Sequence, residues 1–259
     1  MARGSADKSY IVALQEVLND LSKTFNRPRD PALYTKARSY FHSIPDDIRA
    51  TVLDKAVGKS IKRFQVAAWL VVECDPPLPS VDEWIVAGLN DEDAKRHSWM
   101  IQVVGNAKLT RFAEAIAKII ATEGEARWWA VNAAAAMRGE RCLPSLLELA
   151  EKYAEEETPF SLVAALSKFT SPLVIPHLNR VFESNAEERD RVAAARGLGR
   201  QGDQRAIEFL VAKLDEDDQG SQSRRAAQAL SDLFGWEFEW APGAQQIAKE
   251  NWRRKQEGP

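Results

Sequence analysis

The sequence predicts an all-α solenoid, and three observations carry that expectation. The first is an internal period of about 32 residues: sliding RVAAARGLGRQGDQRAIEFLVAKL, which begins at Arg191, back by 64 positions lays Arg191 on Arg127 and Ala194 on Ala130. A fixed period of this size marks stacked supersecondary units, none of which can bury its apolar face alone. The second is apolar spacing at three- and four-residue steps in nearly every segment. The third is an alternation between stretches rich in Ala or Gly and stretches carrying Leu and Ile, as paired helices of a repeat require.

Each element follows in order. Ile11, Leu14, Val17, Leu18 and Leu21 form one stripe of a first helix, which NRPRDP (residues 26–31) breaks. Two more helices follow, around ALYTKARSYFHSI and PDDIRATVLDKAV, the latter opened by Pro45 and the acidic Asp46-Asp47. From residue 61 the repeat takes over. Six first helices are placed to begin near Gln65, Arg96, Arg127, Pro159, Arg191 and Ser223, each followed by a short polar turn and a second helix. In the turn GRQGDQR, Gly202 ends one helix and Asp203 caps the next. Small residues (Ala133 to Ala136, Ala193 to Ala195, Ala226, Ala227) let neighbouring helices approach. Long ones on second helices (Leu143, Leu146, Leu147, Ile175, Leu178, Ile207, Leu210, Leu214) fill the layers between. Each contributes roughly 1.5–3 kcal/mol when fully buried. The expected organisation is one domain: capping helices over 1–60, repeats over 61–233, and an aromatic cap with a final helix over 234–259.

RVAAARGLGRQGDQRAIEFLVAKLDEDD followed by SRRAAQALSDL resembles HEAT repeats, in particular the short variety shared with phycobilisome lyases. The resemblance covers roughly Gln65 to Leu233. It implies a right-handed superhelix of antiparallel helix pairs, with second helices lining the concave side, and a binding scaffold more than a catalyst.

Composition bounds the function. A net charge of −3 over 259 residues, with a pI near 5.8, offers no global attraction to nucleic acid or to an anionic membrane. No stretch approaches the ~20 apolar residues of a membrane span, and charges interrupt the start of the chain at once. Cys74 and Cys142 have no metal-type spacing and suit a reducing compartment. A cytoplasmic location is expected. The three histidines, His42, His97 and His177, have no helical i, i+4 pairing, and no His-Glu dipeptide occurs. Gly197-Leu198-Gly199 lacks the strand a nucleotide-binding fingerprint needs. No metal, cofactor or catalytic residue is therefore expected.

Trp128-Trp129 resembles the paired tryptophans of HEAT-like alkylpurine DNA glycosylases. In that family an Asp follows the second Trp by four residues; here the position is Ala133. The preferred reading packs one ring between layers and lays the other over an adjacent loop, and Trp99 occupies nearly the equivalent position one unit earlier. Trp236, Phe238, Trp240 and Trp252 are read as a cap over the exposed end of the array. Aligning the second helices places Glu83, Glu114, Ser145, His177 and Phe209 in one ladder. Val86, Ala117, Glu148, Arg180 and Ala212 form the next, with Lys118 and Lys213 beside them. Glu83, Glu114, Lys118, Glu148, His177, Arg180, Phe209 and Lys213, with Trp128 and Trp129, are the candidate partner-binding residues. Their mixed, acid-rich character suits a protein partner with basic patches. The expected function is a non-enzymatic scaffold, adaptor or inhibitor of the immunity type; a glycosylase-type nucleic-acid protein and a bilin lyase-like chaperone are the alternatives.

Overall fold

A computed structural model describes residues 3–24, 31–74, 78–215, 222–239 and 243–257, with side chains from residue 8 onward. The expected break over 26–30, Trp240 and Pro242 lie outside the described residues. Every regular element among the described residues is helical, so the chain is an all-α solenoid of repeats. It falls into two compact units, Met1–Met137 and Arg138–Pro259.

The first unit holds α1 (Arg3–Thr24), α2 (Pro31–Ser43), α3 (Asp46–Val57), α4 (Ile61–Val72), α5 (Asp82–Leu89), α6 (Ala94–Asn106), α7 (Ala113–Ala121) and α8 (Glu125–Met137). Leu14, Leu18 and Leu21 of α1 are fully buried, and α1 packs on α3 and α4. Ile11 and Val17, at the edge of the stripe, are only half-buried. The start of this unit is locked by Arg49, which is 4% exposed. Its guanidinium donates to the carbonyls of Phe41 at 3.3 Å, His42 at 3.2 Å and Ile44 at 2.6 Å, and to Asp46 and Ser80 Oγ. The carbonyls of Phe41 and His42 lie in the last turn of α2, where intrahelical donors run out, and Phe41 O also accepts from Ile44 N at 3.3 Å.

The repeat begins with α4, and the first helices start at Ile61, Ala94 and Glu125, within four residues of the expected positions. Ser60 caps α4 and Asp93 caps α6, its Oδ1 accepting from Lys95 N at 2.9 Å and Arg96 N at 3.3 Å. Successive units are tied across the layers. Trp99 Nε1 donates to Gln65 O at 3.2 Å, and Arg111 grips Asp82 with two parallel bonds at 3.0 and 3.1 Å. α6 and α8 approach each other closely. A Cβ built on Gly105 would sit 2.6 Å from both Cα and Cβ of Ala133, so the absence of a side chain sets that spacing.

The second unit holds α9 (Leu143–Lys152), α10 (Phe160–Leu166), α11 (Ile175–Glu183), α12 (Glu188–Arg200), α13 (Gln204–Lys213), α14 (Gln222–Phe234) and α15 (Ala244–Glu257). Asp203 caps α13 as expected, accepting from Arg205 N at 2.9 Å and Ala206 N at 3.4 Å. Gly202, at φ 89°, closes α12, with Asp203 N returning to Leu198 O at 3.1 Å. Earlier second helices are each preceded by a single 3₁₀ turn (Pro79–Val81, Thr110–Phe112, Glu140–Cys142, Pro172–Val174). Leu146, Leu178 and Leu210 are fully buried, whereas Leu147 and Ile175 reach solvent in part. At the end of the array, Phe234 stacks on Trp236 at 5.0 Å and on Trp252 of α15 at 5.6 Å. These half-buried rings join α15 to the end of α14.

Candidate partner-binding surface

Second helices are short and amphipathic, so each turns one stripe into the core and one outward. In the first unit the outward stripe carries Glu83 and Val86 on α5 and Glu114 and Lys118 on α7. Val86 is 42% exposed, while Glu114 and Lys118 are paired with each other at 3.2 Å. An exposed i, i+4 pair of this kind contributes about 0.3–0.5 kcal/mol, so both charges remain available to a partner. Between α5 and α7 runs a shallow groove of about 470 Å³ that includes Val86, Phe112, Glu114 and Lys118.

In the second unit Glu148 of α9 is exposed beside Lys152, at 3.9 Å, and Arg180 of α11 reaches Glu151 at 3.8 Å. Three candidates are drawn inward. His177 is only 9% exposed, 3.5 Å from Glu151 through Nε2, because α11 turns that position towards its neighbours. Burial holds its imidazole below the ordinary value, with Glu151 pulling the other way. Phe209 is half-buried, edge-on to Phe182 at 5.2 Å, with Arg191 and Lys213 over its ring at 5.0 and 5.3 Å. The Lys213 side chain is 14% exposed and paired with Glu188. His177, Phe209 and Lys213 thus spend much of their contact on neighbouring helices, while Phe209 stays partly open to solvent.

Trp128 and Trp129 are half-buried in the first turn of α8, and Trp129 Nε1 donates to Glu125 Oε1 at 3.4 Å. Ala133, where a glycosylase would carry its carboxylate, is buried against Gly105. Among the described residues no group of three His, Cys, Asp or Glu side chains has the placement to hold a metal ion. No described helix is long and apolar enough to cross a membrane. Both cysteines are buried, which pushes their thiols up to about 11 and away from nucleophilic use.

One feature of the second unit escapes the ladder alignment. The loops after α9 and α11 enclose a groove of about 630 Å³, lined by Glu155, Glu156, Glu157, Asn185 and Glu187, with Arg180 as its cation. Arg180 is itself engaged by Glu151, so the groove is strongly acidic. In the sequence this groove is marked by the acidic run Glu155–Glu157, which lies in a loop between two repeats and outside the second helices.

Against known families, the PBS lyase HEAT-like repeat matches residues 190–216, a stretch that begins within the first turn of α12 and runs past the end of α13. No curated protein matches the chain.

Proposed function

Starting from a HEAT-like repeat protein, we propose that this chain is a non-enzymatic protein-binding module, a scaffold, adaptor or inhibitor. In this reading the outward second-helix stripes and the acidic groove of the second unit receive a partner with basic patches. The observation that supports it most directly is that groove. Four glutamates line it, Glu187 paired with Arg189 at 2.9 Å, against one arginine that Glu151 already engages, and exposed Glu148 and Glu151 stand on the helix leading into it. Such a surface favours cationic side chains, speeds their encounter and rejects phosphate backbones. A base-releasing role has no support in the site, since the buried methyl of Ala133 stands where a carboxylate is required.

The test is affinity capture from native lysate, comparing the wild-type chain with Glu155→Lys/Glu156→Lys/Glu157→Lys. A partner of basic surface charge is expected to be retained by the wild type, released by moderate salt, and lost by the triple variant. Retention of the same proteins by both chains at all salt concentrations would overturn the proposal.

A further inference from the structure

The first helices of the second unit carry the opposite charge. Arg189, Arg196 and Arg200 lie on one side of α12, Arg225 and Asp232 on one side of α14, and Phe160 opens α10 while Lys168 follows its end. Stacking α10, α12 and α14 brings them together. Arg196 donates to Ser167 Oγ at 2.9 Å and Arg200 donates to Ser167 O. Asp232 Oδ2 is shared by Arg196 at 3.5 Å and Lys168 at 3.7 Å. Arg138 stands near enough to weaken the charged forms of Lys168, Arg196 and Arg200. Among the described residues, then, one carboxylate answers this group of four cations.

Between these helices lies a cavity of about 80 Å³ whose walls include Phe160, Arg189, Val192, Arg196, Arg225 and Gln228. Arg189 is neutralised by Glu187 at 2.9 Å and by the buried Asp190 at 3.2 Å, and it lies over the Phe160 ring at 5.2 Å. Arg196 and Arg225 differ. The Nε of each is buried and has no hydrogen-bond acceptor among the described residues, and no carboxylate there pairs with Arg225. A buried donor on a charged group costs free energy unless an acceptor reaches it, and guanidinium donors match the oxygens of a tetrahedral oxyanion.

We propose that this first-helix cavity is a binding site for a phosphate group, held by Arg196 and Arg225 and supported electrostatically by Lys168 and Arg200. The cavity has room for a compact oxyanion, with Phe160, Val192, Ala193 and Ala229 as its apolar wall beside the arginine pair. The site is separate from the acidic groove and stands whatever the groove binds.

Titration calorimetry of the full chain with inorganic phosphate, against chloride at matched ionic strength, tests it. Saturable phosphate binding is expected, weakened at least about tenfold by Arg225→Gln, since a charge-assisted hydrogen bond carries about that much affinity. Arg225→Lys, which keeps the charge and the stem, is expected to retain part of the binding and guards against a folding defect in the first variant. A parallel titration with O-phosphoserine assigns the source: tighter binding than inorganic phosphate points to a phosphorylated partner, weaker binding to the free ion. Equal heats from phosphate and chloride, or undiminished phosphate binding by both Arg225 variants, would overturn the site.

Discussion

Substituting Gly105 by alanine sets two effects of known size against each other. In an isolated helix the change favours folding by about 0.8–1 kcal/mol, because glycine is a poor helix former. In α6 the added methyl would lie 2.6 Å from Cα and Cβ of Ala133 on α8. Ordinary carbon contacts lie at about 3.5–4.0 Å, so the two helices must separate by roughly 1 Å. The atoms in the way belong to a backbone and its own Cβ, so no side-chain rotation relieves the clash. Overpacking of this kind costs typically about 1–3 kcal/mol and more where the neighbour is rigid, so the packing term is expected to win. A net loss near 1–2 kcal/mol would lower a urea midpoint by about 0.5–1 M for an m value near 2 kcal/mol/M. The assay is urea unfolding followed by circular dichroism, with Trp fluorescence as the local probe because Trp99, Trp128 and Trp129 stand on the same two helices. The companion variant Ala133→Gly removes the opposing methyl, and the double variant is expected to recover stability relative to the sum of the singles. Should Gly105→Ala prove neutral or stabilising, or the double variant simply additive, backbone contact does not set the spacing of these repeats.

Arg49→Met should destabilise the first unit by about 3–5 kcal/mol, because it takes the guanidinium donors from the carbonyls of Phe41, His42 and Ile44, and Phe41 O keeps only the 3.3 Å bond from Ile44 N. Thermal denaturation would show it, and Arg49→Lys should recover only part of the loss since an ammonium lacks the planar fork. For His177 the sign follows from burial. The folded chain holds the imidazole below 6.5, so under that pH the unfolded chain binds the extra proton more readily. Stability is therefore expected to fall as pH is lowered from about 7.5 to 5.5, in the same direction as the contribution of His97, and His177→Gln should reduce the slope. An unchanged slope in that variant would assign the pH dependence elsewhere.

Much of the array was legible from residue order because helix formation and repeat stacking follow local rules. The starts near Arg127, Pro159, Arg191 and Ser223 are realised within three residues, and Asp203 and Gly202 perform the cap and the stop that their chemistry requires. At the aromatic end, Trp236 and Trp252 both meet Phe234. The binding ladder was less legible. Aligning His177 with Glu83 and Glu114 assumes that equivalent positions share an environment. The side chain at 177 instead turns beneath Glu151, while Phe209 and Lys213 are captured by Phe182, Arg191 and Glu188.

By itself, then, the sequence determined the helical architecture, the period, the turn chemistry and the lack of a glycosylase carboxylate at Ala133. These depend on neighbours three to five residues apart or on the simple identity of a residue. Only the tertiary structure decided which charges face outward and which meet. Ser167 and Arg196 lie 29 positions apart, and Arg196 and Asp232 lie 36 apart. A chain of net charge −3 gathers cations on its first helices because stacking, which a linear period does not encode in full, superimposes side chains from successive repeats. Burial then strips those groups of water and makes the charge imbalance count.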